Sequence, residues 1–181
     1  PPFTWSPFEV DSSLSEFPSK PGDNHIFGTD DKGRDVFARL LYGYRISISF
    51  GVVCWFFTYL IGVFLGGLQG YFGGWVDYTG QRVAEVISAT PVLVIMILVV
   101  SIYGQNFYSL VTLIILFRWT SISHYIRAEF LQLRKKEFVE AARAIGLSDM
   151  KIAMRHILPN ALSPVITFTP FSISGYILYL N

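Results

Sequence analysis

Charged residues are scarce in this chain. They make up 15% of its 181 residues, whereas a typical soluble domain has about 25%. The shortage is concentrated in residues 46–76, 86–117 and 156–181, which contain no Asp, Glu, Lys or Arg. A transmembrane helix needs about 20 mostly apolar residues, so each stretch could hold one. Because three such stretches are unusual in the core of a small soluble protein, we predict an integral membrane protein.

Other absences exclude further classes of function. The one cysteine, Cys54, lies within an apolar stretch, so we expect neither a disulfide framework nor a cysteine-based metal site. The net charge of +1 leaves no basic face for nucleic acid. No Ser/His/Asp, Cys/His or paired-carboxylate arrangement falls on an obvious shared site, so we predict neither catalysis nor a cofactor within this chain.

The two ends of the sequence do not resemble the ends of a complete subunit. The chain begins at Pro1 without Met and stops at Asn181, directly after an apolar stretch. We therefore expect a segment of a longer subunit that lacks helices on both sides.

The N-terminal region differs from the rest of the chain in composition. Residues 1–28 are rich in Pro, Ser and acidic side chains and predict an irregular loop. Thr29-Asp30-Asp31 then supplies a predicted N-cap and first-turn acids, followed by an amphipathic pattern up to Tyr44 that suits a helix in the membrane interface. We predict an extracytoplasmic loop and interfacial helix over residues 1–45, and a transmembrane permease domain over residues 46–181.

The remaining sequence predicts an all-α, polytopic transmembrane bundle. The expected spans cover residues 46–68, 86–103 and 107–125, with a fourth that begins near Pro164. Gly62, Gly66 and Gly70 recur every four residues at the end of the first span and just after it, a spacing that indicates close helix contact or arises by chance. Pro91 either kinks the second span or marks the point where a cytosolic helix becomes the span. A tight loop is expected at Gly104-Gln105-Asn106.

Basic residues predict the orientation of the chain in the membrane. They crowd the segment after the third span and outnumber the acids there, whereas bases and acids nearly balance in residues 29–45. Because cytosolic loops carry an excess of Lys and Arg, residues 127–160 are predicted to be cytosolic and the N-terminal region to lie outside. Three spans between the two regions agree with that assignment.

The cytosolic loop carries the clearest functional pattern. Phe138, Ala141, Ala142 and Ile145 form an i, i+3, i+4, i+7 apolar stripe on a helix of about two turns, on which Glu140 and Arg143 are spaced to pair. Gly146 suits the left-handed position after the helix.

A second short helix is expected to follow, with Ser148 as its N-cap, and to end at Pro159. From the residues alone, the first helix either docks against another protein or lies on lipid headgroups.

These residues resemble the EAA signature of type I ABC importer permeases, the membrane subunits of ATP-driven, binding-protein-dependent importers. The matching positions are Glu140, Ala141, Ala142, Gly146, His156, Leu158 and Pro159. The resemblance implies that this loop forms a coupling helix in a cleft of a cytosolic ATPase. It also implies a bacterial inner membrane, a second permease subunit, two ATPase domains that use the ATP, and an extracytoplasmic binding protein. Ile is usual in the family where this chain has His156, and residues 155–160 resemble peptide permeases instead.

Two further segments narrow the resemblance. One resembles the segment before a span in the second permease subunit of oligopeptide, dipeptide and nickel importers, and its residues are Gly28, Thr29, Asp30, Asp31, Gly33, Arg34 and Asp35. Its acids alone suggest a Ca²⁺ loop, but the Gly and Glu spacing of an EF-hand is absent. Residues 68–74 resemble Yej-type peptide permeases, associated with microcin C uptake. We therefore predict a peptide importer permease, with a nickel or dipeptide importer of the same family, or an ATP-independent transporter, as alternatives.

Four polar residues have positions that must be argued one by one from the surrounding sequence. Arg118 lies within the third predicted span, where an Arg costs about 2.5–3.5 kcal/mol on insertion scales. It either faces the transport pathway and meets a peptide carboxylate, or lies near the cytosolic boundary and reaches the interface. His25 and His124 are expected at interfaces or in loops, and His156 is expected to pack at the coupling loop.

Overall fold

The described part of the chain is helical. The structure, a computed structural model, describes residues 5–14, 16–22, 24–104 and 106–179. Within them lie α1 (Val36–Phe72), α2 (Gly74–Ser88), α3 (Val92–Tyr103), α4 (Phe107–Leu133), α5 (Glu137–Ala144), α6 (Asp149–Ile152), a π-helical segment (Ala153–Ile157), α7 (Leu158–Thr167) and α8 (Thr169–Ile177). The described residues contain no strand, only two isolated β-bridges near the N-terminus. The all-α prediction is confirmed.

The chain divides into two compact units, Pro1–Ser49 and Phe50–Asn181. The first is mostly irregular, and its turns surround a few buried polar side chains. The second contains two apolar clusters. One includes Tyr71, Phe130, Val139 and Ile157, and the other includes Phe50, Cys54 and Ile114. The predicted boundary between residues 45 and 46 remains a prediction.

Helix α1 differs from the prediction at both ends. It is one helix of 37 residues, Val36–Phe72, where an interfacial helix and a separate span were expected. No proline interrupts this stretch. Its N-cap is Asp35, whose Oδ1 accepts a hydrogen bond from the Ala38 N–H at 2.6 Å. The prediction that Thr29-Asp30-Asp31 caps the helix is wrong, because these residues form the turn before it.

Helices α1 and α4 are each long and apolar enough to cross a membrane, and α2 and α3 pass the same test as one pair bent by 63°. Pro91 is the N-cap of α3, directly after the break that follows Ser88, so the predicted span 86–103 is interrupted there, and both predicted roles of Pro91 remain open. Its ring disfavours helical conformation in the preceding residue. Together these helices indicate a multi-pass membrane protein.

The last two predicted spans have different limits in the structure. Helix α4 does not end near Tyr125 but continues to Leu133, because neither Gly nor Pro interrupts it. It begins after Asn106, whose side chain accepts from the Tyr108 N–H at 2.9 Å; Gln105 of the predicted loop lies outside the described residues. Where a fourth span was expected, α7 and α8 have ten and nine residues.

The glycines of α1 make close contact with α4. A Cβ built on Gly66 would lie 2.4 Å from the Ser123 carbonyl oxygen, and one on Gly70 would lie 2.5 Å from the Phe130 Cβ. A Cβ on Gly62 would lie 2.7 Å from the Ile122 Cβ. Such distances leave no room for a methyl group. Of the two interpretations of this spacing, real helix contact is therefore the correct one.

Candidate coupling site

Helix α5 is anchored to its own chain by one face. Val139 is fully buried and Ala142 is 4% exposed, and both belong to the apolar cluster that contains Tyr71 and Phe130. The predicted apolar stripe is therefore partly wrong. It included Ala142 but not Val139, because residues spaced i, i+3 share a helix face and periodicity alone allowed two adjacent stripes.

The opposite face of α5 is apolar and exposed. Phe138 is 39% and Ile145 76% exposed, and Ala141 between them is also exposed. These three residues, which we call the outer stripe, follow the i, i+3, i+7 spacing of one helix side. Glu140, on the same short helix, is exposed as well. The small Ala141 side chain lets another surface approach the backbone closely.

Helix α5 ends in a Schellman motif. Gly146 has φ +82°. Its N–H donates to the Arg143 carbonyl at 2.9 Å, and the Leu147 N–H donates to the Ala142 carbonyl at 3.2 Å, which is the pattern expected of that motif. The predicted left-handed conformation is confirmed. A Cβ on Gly146 would meet no atom within 4 Å, so the cost of another residue there is in the backbone.

A polar cluster joins the coupling loop to the end of α1. The Tyr71 hydroxyl donates to Asp149 Oδ1 at 2.6 Å, and Arg143 Nε lies 3.9 Å from the same oxygen. Among the ion pairs of the described residues, Arg143 is paired with Asp149, and the predicted pair with Glu140 is not formed. Tyr71 and Asp149 are 78 residues apart, and no local spacing could have suggested their contact.

The second short helix does not end at Pro159. Helix α6 begins after Ser148 as predicted, although the Ser148 side chain makes no capping bond. The chain then widens into the π-helical segment and continues as α7, with Pro159 in its first turn. Proline lacks the N–H that an α-helix requires. The wider π turn changes the hydrogen-bond register, and the Asn160 side chain donates to the His156 carbonyl at 2.7 Å.

The other residues of the EAA match lie along this continuous segment. His156 and Leu158 are half-buried, while Pro159 is exposed. Ile157, between them, is fully buried in the same cluster as Val139. Side chains from both α5 and the π-helical segment therefore pack against α1 and α4.

The second sequence motif forms a tight turn before α1. Asp30 Oδ1 accepts from the N–H groups of Lys32 and Arg34, at 2.9 and 3.0 Å, and Asp30 Oδ2 lies 2.7 Å from an Arg34 terminal nitrogen. Desolvation opposes ionisation of Asp30, but the bonds from Arg34 and Lys32 outweigh it and lower its pKa to about 2.

The other motif residues shape that turn. Gly28 and Gly33 have φ values of +72° and +74°, where L side chains are disfavoured. Thr29 is buried and accepts from the Ser19 N–H at 2.9 Å, whereas Asp31 is exposed.

His25 lies in a loop, as expected, but its side chain is buried. It is 3% exposed, and its Nδ1 and Nε2 lie 2.8 Å from Asp35 Oδ2 and 3.1 Å from Asp11 Oδ2. Desolvation disfavours the imidazolium, but the two carboxylates outweigh it and raise the pKa of His25 above 6.5. Both ring nitrogens face carboxylate oxygens, and the described residues contain no group of three or more ligand side chains arranged for a metal.

Helix α4 holds three polar residues of interest. His124 is half-buried within the helix and not in a loop. Arg127 forms a two-pronged ion pair with Asp77 of α2, in which its second nitrogen lies 2.7 Å from Asp77 Oδ2. Arg118 is half-buried, and its guanidinium lies 4.8 Å from the centre of the Tyr179 ring.

Residues 59–180 match the family of binding-protein-dependent transport system inner membrane components. The inner membrane ABC transporter permease protein YejE of Escherichia coli strain K12 is 45% identical over 165 residues, which are 91% of this chain and 48% of that protein.

Two other relatives are also permease proteins of transport systems. The peptidoglycan transport system permease protein YejE of Agrobacterium fabrum is 44% identical over 160 residues, 88% of this chain and 42% of that protein. The oligopeptide transport system permease protein OppC of Haemophilus influenzae is 35% identical over 178 residues, 98% of this chain and 57% of that protein. The chain thus spans about half the length of the curated relatives it matches.

Proposed function

Because the chain belongs to the family of binding-protein-dependent transport system inner membrane components, we propose that it is part of a transmembrane permease subunit of an ATP-driven importer that moves peptides across a bacterial inner membrane. The family resemblance found in the EAA and Gly28–Asp35 motifs is confirmed. This family comprises membrane transport components and not enzymes. The names of several relatives, which refer to oligopeptides, dipeptides and glutathione, support peptides as the substrate.

The observation that carries the proposal is that α5 has one buried face and one exposed apolar face. Val139 and Ala142 fasten the helix to the membrane helices of its own chain, while the outer stripe is left exposed. A helix of eight residues is marginal by itself in water, so the anchored face explains why it forms. The exposed apolar face is then free to contact a second protein.

We infer the following division of labour. Two cytosolic ATPase domains bind and hydrolyse ATP, and one of them holds α5 by the outer stripe. A second permease subunit completes the transmembrane pathway, and an extracytoplasmic binding protein delivers the peptide. This chain contributes no cofactor of its own and no contact with nucleic acid.

Coupling in this scheme is mechanical. When the ATPases close, α5 moves with them, and its buried face transmits the displacement to α1 and α4. The ATPase must contact α5 differently in the two states, because a partner shifts an equilibrium only by its differential affinity. The Tyr71–Asp149 hydrogen bond and the continuous α6–α7 segment support this transmission.

Cross-linking along α5 tests the proposal directly. Cys54, the one cysteine of this sequence, is replaced by Ala, as are accessible cysteines elsewhere in the transporter. A benzophenone maleimide is then attached to Ala141→Cys or Ile145→Cys in membranes that contain the whole transporter. We expect both exposed positions to capture the ATPase subunit, identified by mass spectrometry.

Matched controls lie on the same helix. Val139→Cys and Ala142→Cys are buried against this chain, so we expect little labelling there and no capture of the ATPase. Equal capture of the ATPase from both faces, or none from the outer stripe, would contradict the proposal.

A nickel importer of the same family is the alternative substrate class. Growth of a deletion strain on peptides as sole amino-acid source, compared with its growth under nickel limitation, separates the two. Loss of growth only under nickel limitation would replace the peptide assignment.

A further inference from the structure

Arg118 lies between two cavities in the Phe50–Asn181 unit. It is the twelfth of the 27 residues of α4, so it is near the middle of a candidate membrane span and not at its end. One cavity, of about 430 Å³, is lined by Arg118 together with Ser121, Ser172 and Tyr176. The other, of about 320 Å³, is lined by Arg118 together with Ser88 and Thr120.

The Arg118 guanidinium has no acidic partner within the described part of the chain. Every ion pair found there involves other residues, and the hydrogen bonds found there do not use Arg118 as a donor. Among the described residues it lies over the face of the Tyr179 ring, whose centre is 4.8 Å from the guanidinium carbon, and beside Tyr176. A cation over a ring face is held by the electrostatic field of the ring and not by hydrogen bonds, and the guanidinium carries five N–H donors. The donors therefore remain available to a ligand.

An unpaired arginine inside a membrane span requires an explanation. Charged side chains in transmembrane segments are costly, and they mark substrate or ion pathways where they face a cavity. Arg118 faces two cavities, and its position in mid-helix argues against a side chain that merely reaches the interface. The Ser121 hydroxyl group lines both cavities and adds hydrogen-bonding capacity without adding charge.

We propose that Arg118 binds the terminal carboxylate of a peptide during its passage, an inference that rests on the proposed peptide-import function. A planar guanidinium matches a carboxylate by two parallel hydrogen bonds. The terminal carboxylate is shared by peptides of any sequence, so a single arginine can serve substrates with different side chains. The cavity volumes fall within the roughly 300–1,000 Å³ range of small-molecule sites.

An acidic side chain of the second permease subunit is the competing partner for Arg118. The two partners predict different consequences for assembly, and the experiment separates them.

The test uses the complete transporter and its binding protein in proteoliposomes. Uptake of trialanine is compared with uptake of trialanine amide, which lacks the carboxylate. The affinity of the binding protein for both peptides is measured separately, so that the preference of the membrane complex can be isolated. The variants are Arg118→Gln, which removes the charge, and Arg118→Lys, which retains the charge but lacks the planar fork.

We expect the Gln variant to reduce uptake of trialanine roughly tenfold or more, as for the loss of a hydrogen bond to a charged group, and to leave uptake of trialanine amide unchanged. The Lys variant should retain part of the preference for trialanine over trialanine amide. Arg82→Gln is the matched control, because the Arg82 side chain is 62% exposed and paired with Glu85, and it should behave as wild type.

Three results would overturn the inference. An equal loss of uptake for both peptides would show that Arg118 does not bind the carboxylate. Failure of both Arg118 variants to copurify with the second permease subunit would assign Arg118 to the subunit interface. Uptake of neither peptide by the wild-type complex would refute the proposed function itself, and with it any substrate role for Arg118.

Discussion

At the scale of single residues, Gly146 shows how a backbone angle can carry function. Its φ of +82° ends α5 and directs the chain into α6. An L residue in this region costs about 1–2 kcal/mol, and nothing else opposes a side chain there because a Cβ meets no atom within 4 Å. The position therefore tests conformation separately from packing.

We expect Gly146→Val to uncouple the transporter. The strain would shift the end of α5, so peptide uptake should fall roughly 5- to 30-fold, the factor that corresponds to one or two kcal/mol, while ATP hydrolysis and membrane insertion persist. The measurement is the ratio of peptide uptake to ATP hydrolysis in proteoliposomes. Gly146→Asn is the control, since Asn tolerates the left-handed region, and an equal loss in both variants would refute this explanation.

His25 predicts a pH dependence of the Pro1–Ser49 unit. Its pKa is raised above 6.5, so the stability it contributes is fully present below pH 6.5 and is lost as pH rises through the higher folded value. The pKa of Asp11 is lowered below 3.8, chiefly by hydrogen bonds from Ser13, so its contribution is lost on acidification below that pH. The unit should be best protected between those limits.

Hydrogen exchange of residues 5–36 in wild type and in His25→Gln checks this expectation. The two proteins are compared at the same pH, between about pH 5 and about pH 8. The extra protection in wild type should be greatest at the acidic end and should fade as His25 loses its proton. A difference that stays constant across this range would show that the imidazolium does not stabilise the unit.

At the scale of elements, the contact between α1 and α4 depends on glycine. Their backbones approach so closely at Gly66 that a Cβ would lie 2.4 Å from the Ser123 carbonyl oxygen. Small residues permit this approach in lipid, where packing rather than the hydrophobic effect holds helices together. Because α4 also contacts α2 and α7, separation of α1 from α4 would disturb the helices that hold α5.

We expect Gly66→Ala to destabilise the subunit by about 1–3 kcal/mol, the usual cost of overpacking. Gly43→Ala is the matched control on the same helix, because a Cβ at Gly43 meets no atom within 4 Å and Ala is the better helix former. Thermal unfolding of the detergent-solubilised transporter would show a lower midpoint for the first variant alone. Similar midpoints for both variants would contradict the close contact.

At the scale of the whole molecule, the source of energy separates the proposal from an ATP-independent transporter. If α5 receives its movement from an ATPase, peptide uptake should cease when the catalytic glutamate of that ATPase is replaced, and it should persist when a protonophore removes the proton gradient. Uptake into proteoliposomes with ATP inside or outside provides the measurement. Uptake that depends on the ion gradient and does not depend on ATP would exclude coupling through α5.

Several features of the fold and site could be predicted because they depend on local sequence. The uncharged stretches predicted the membrane helices, Pro91 predicted a kink or a change of helix, and Gly146 predicted a left-handed residue. The limits of the elements were less predictable. Pro159 was expected to end a helix, but the π-helical segment before it and the Asn160 side chain accommodate it. That compensation depends on how the whole segment packs.

Side-chain partners between distant segments could not be predicted. Tyr71 and Asp149 are 78 residues apart, and Asp77 and Arg127 are 50 apart. The sequence around His25 is that of an ordinary loop, yet the His25 side chain lies between two buried carboxylates. Whether a polar residue is buried or paired depends on the register in which helices and turns pack, and a single sequence does not contain that register explicitly.

The sequence by itself determined that the chain is a helical membrane protein with the motifs of an importer permease, because charge scarcity, glycine spacing and short motifs act over a few neighbouring residues. Only the tertiary structure decided which face of α5 is anchored and which is exposed. It also decided that Arg118 lies between two cavities. Both results depend on contacts among helices far apart in the chain, where small differences in packing determine which side chains remain accessible.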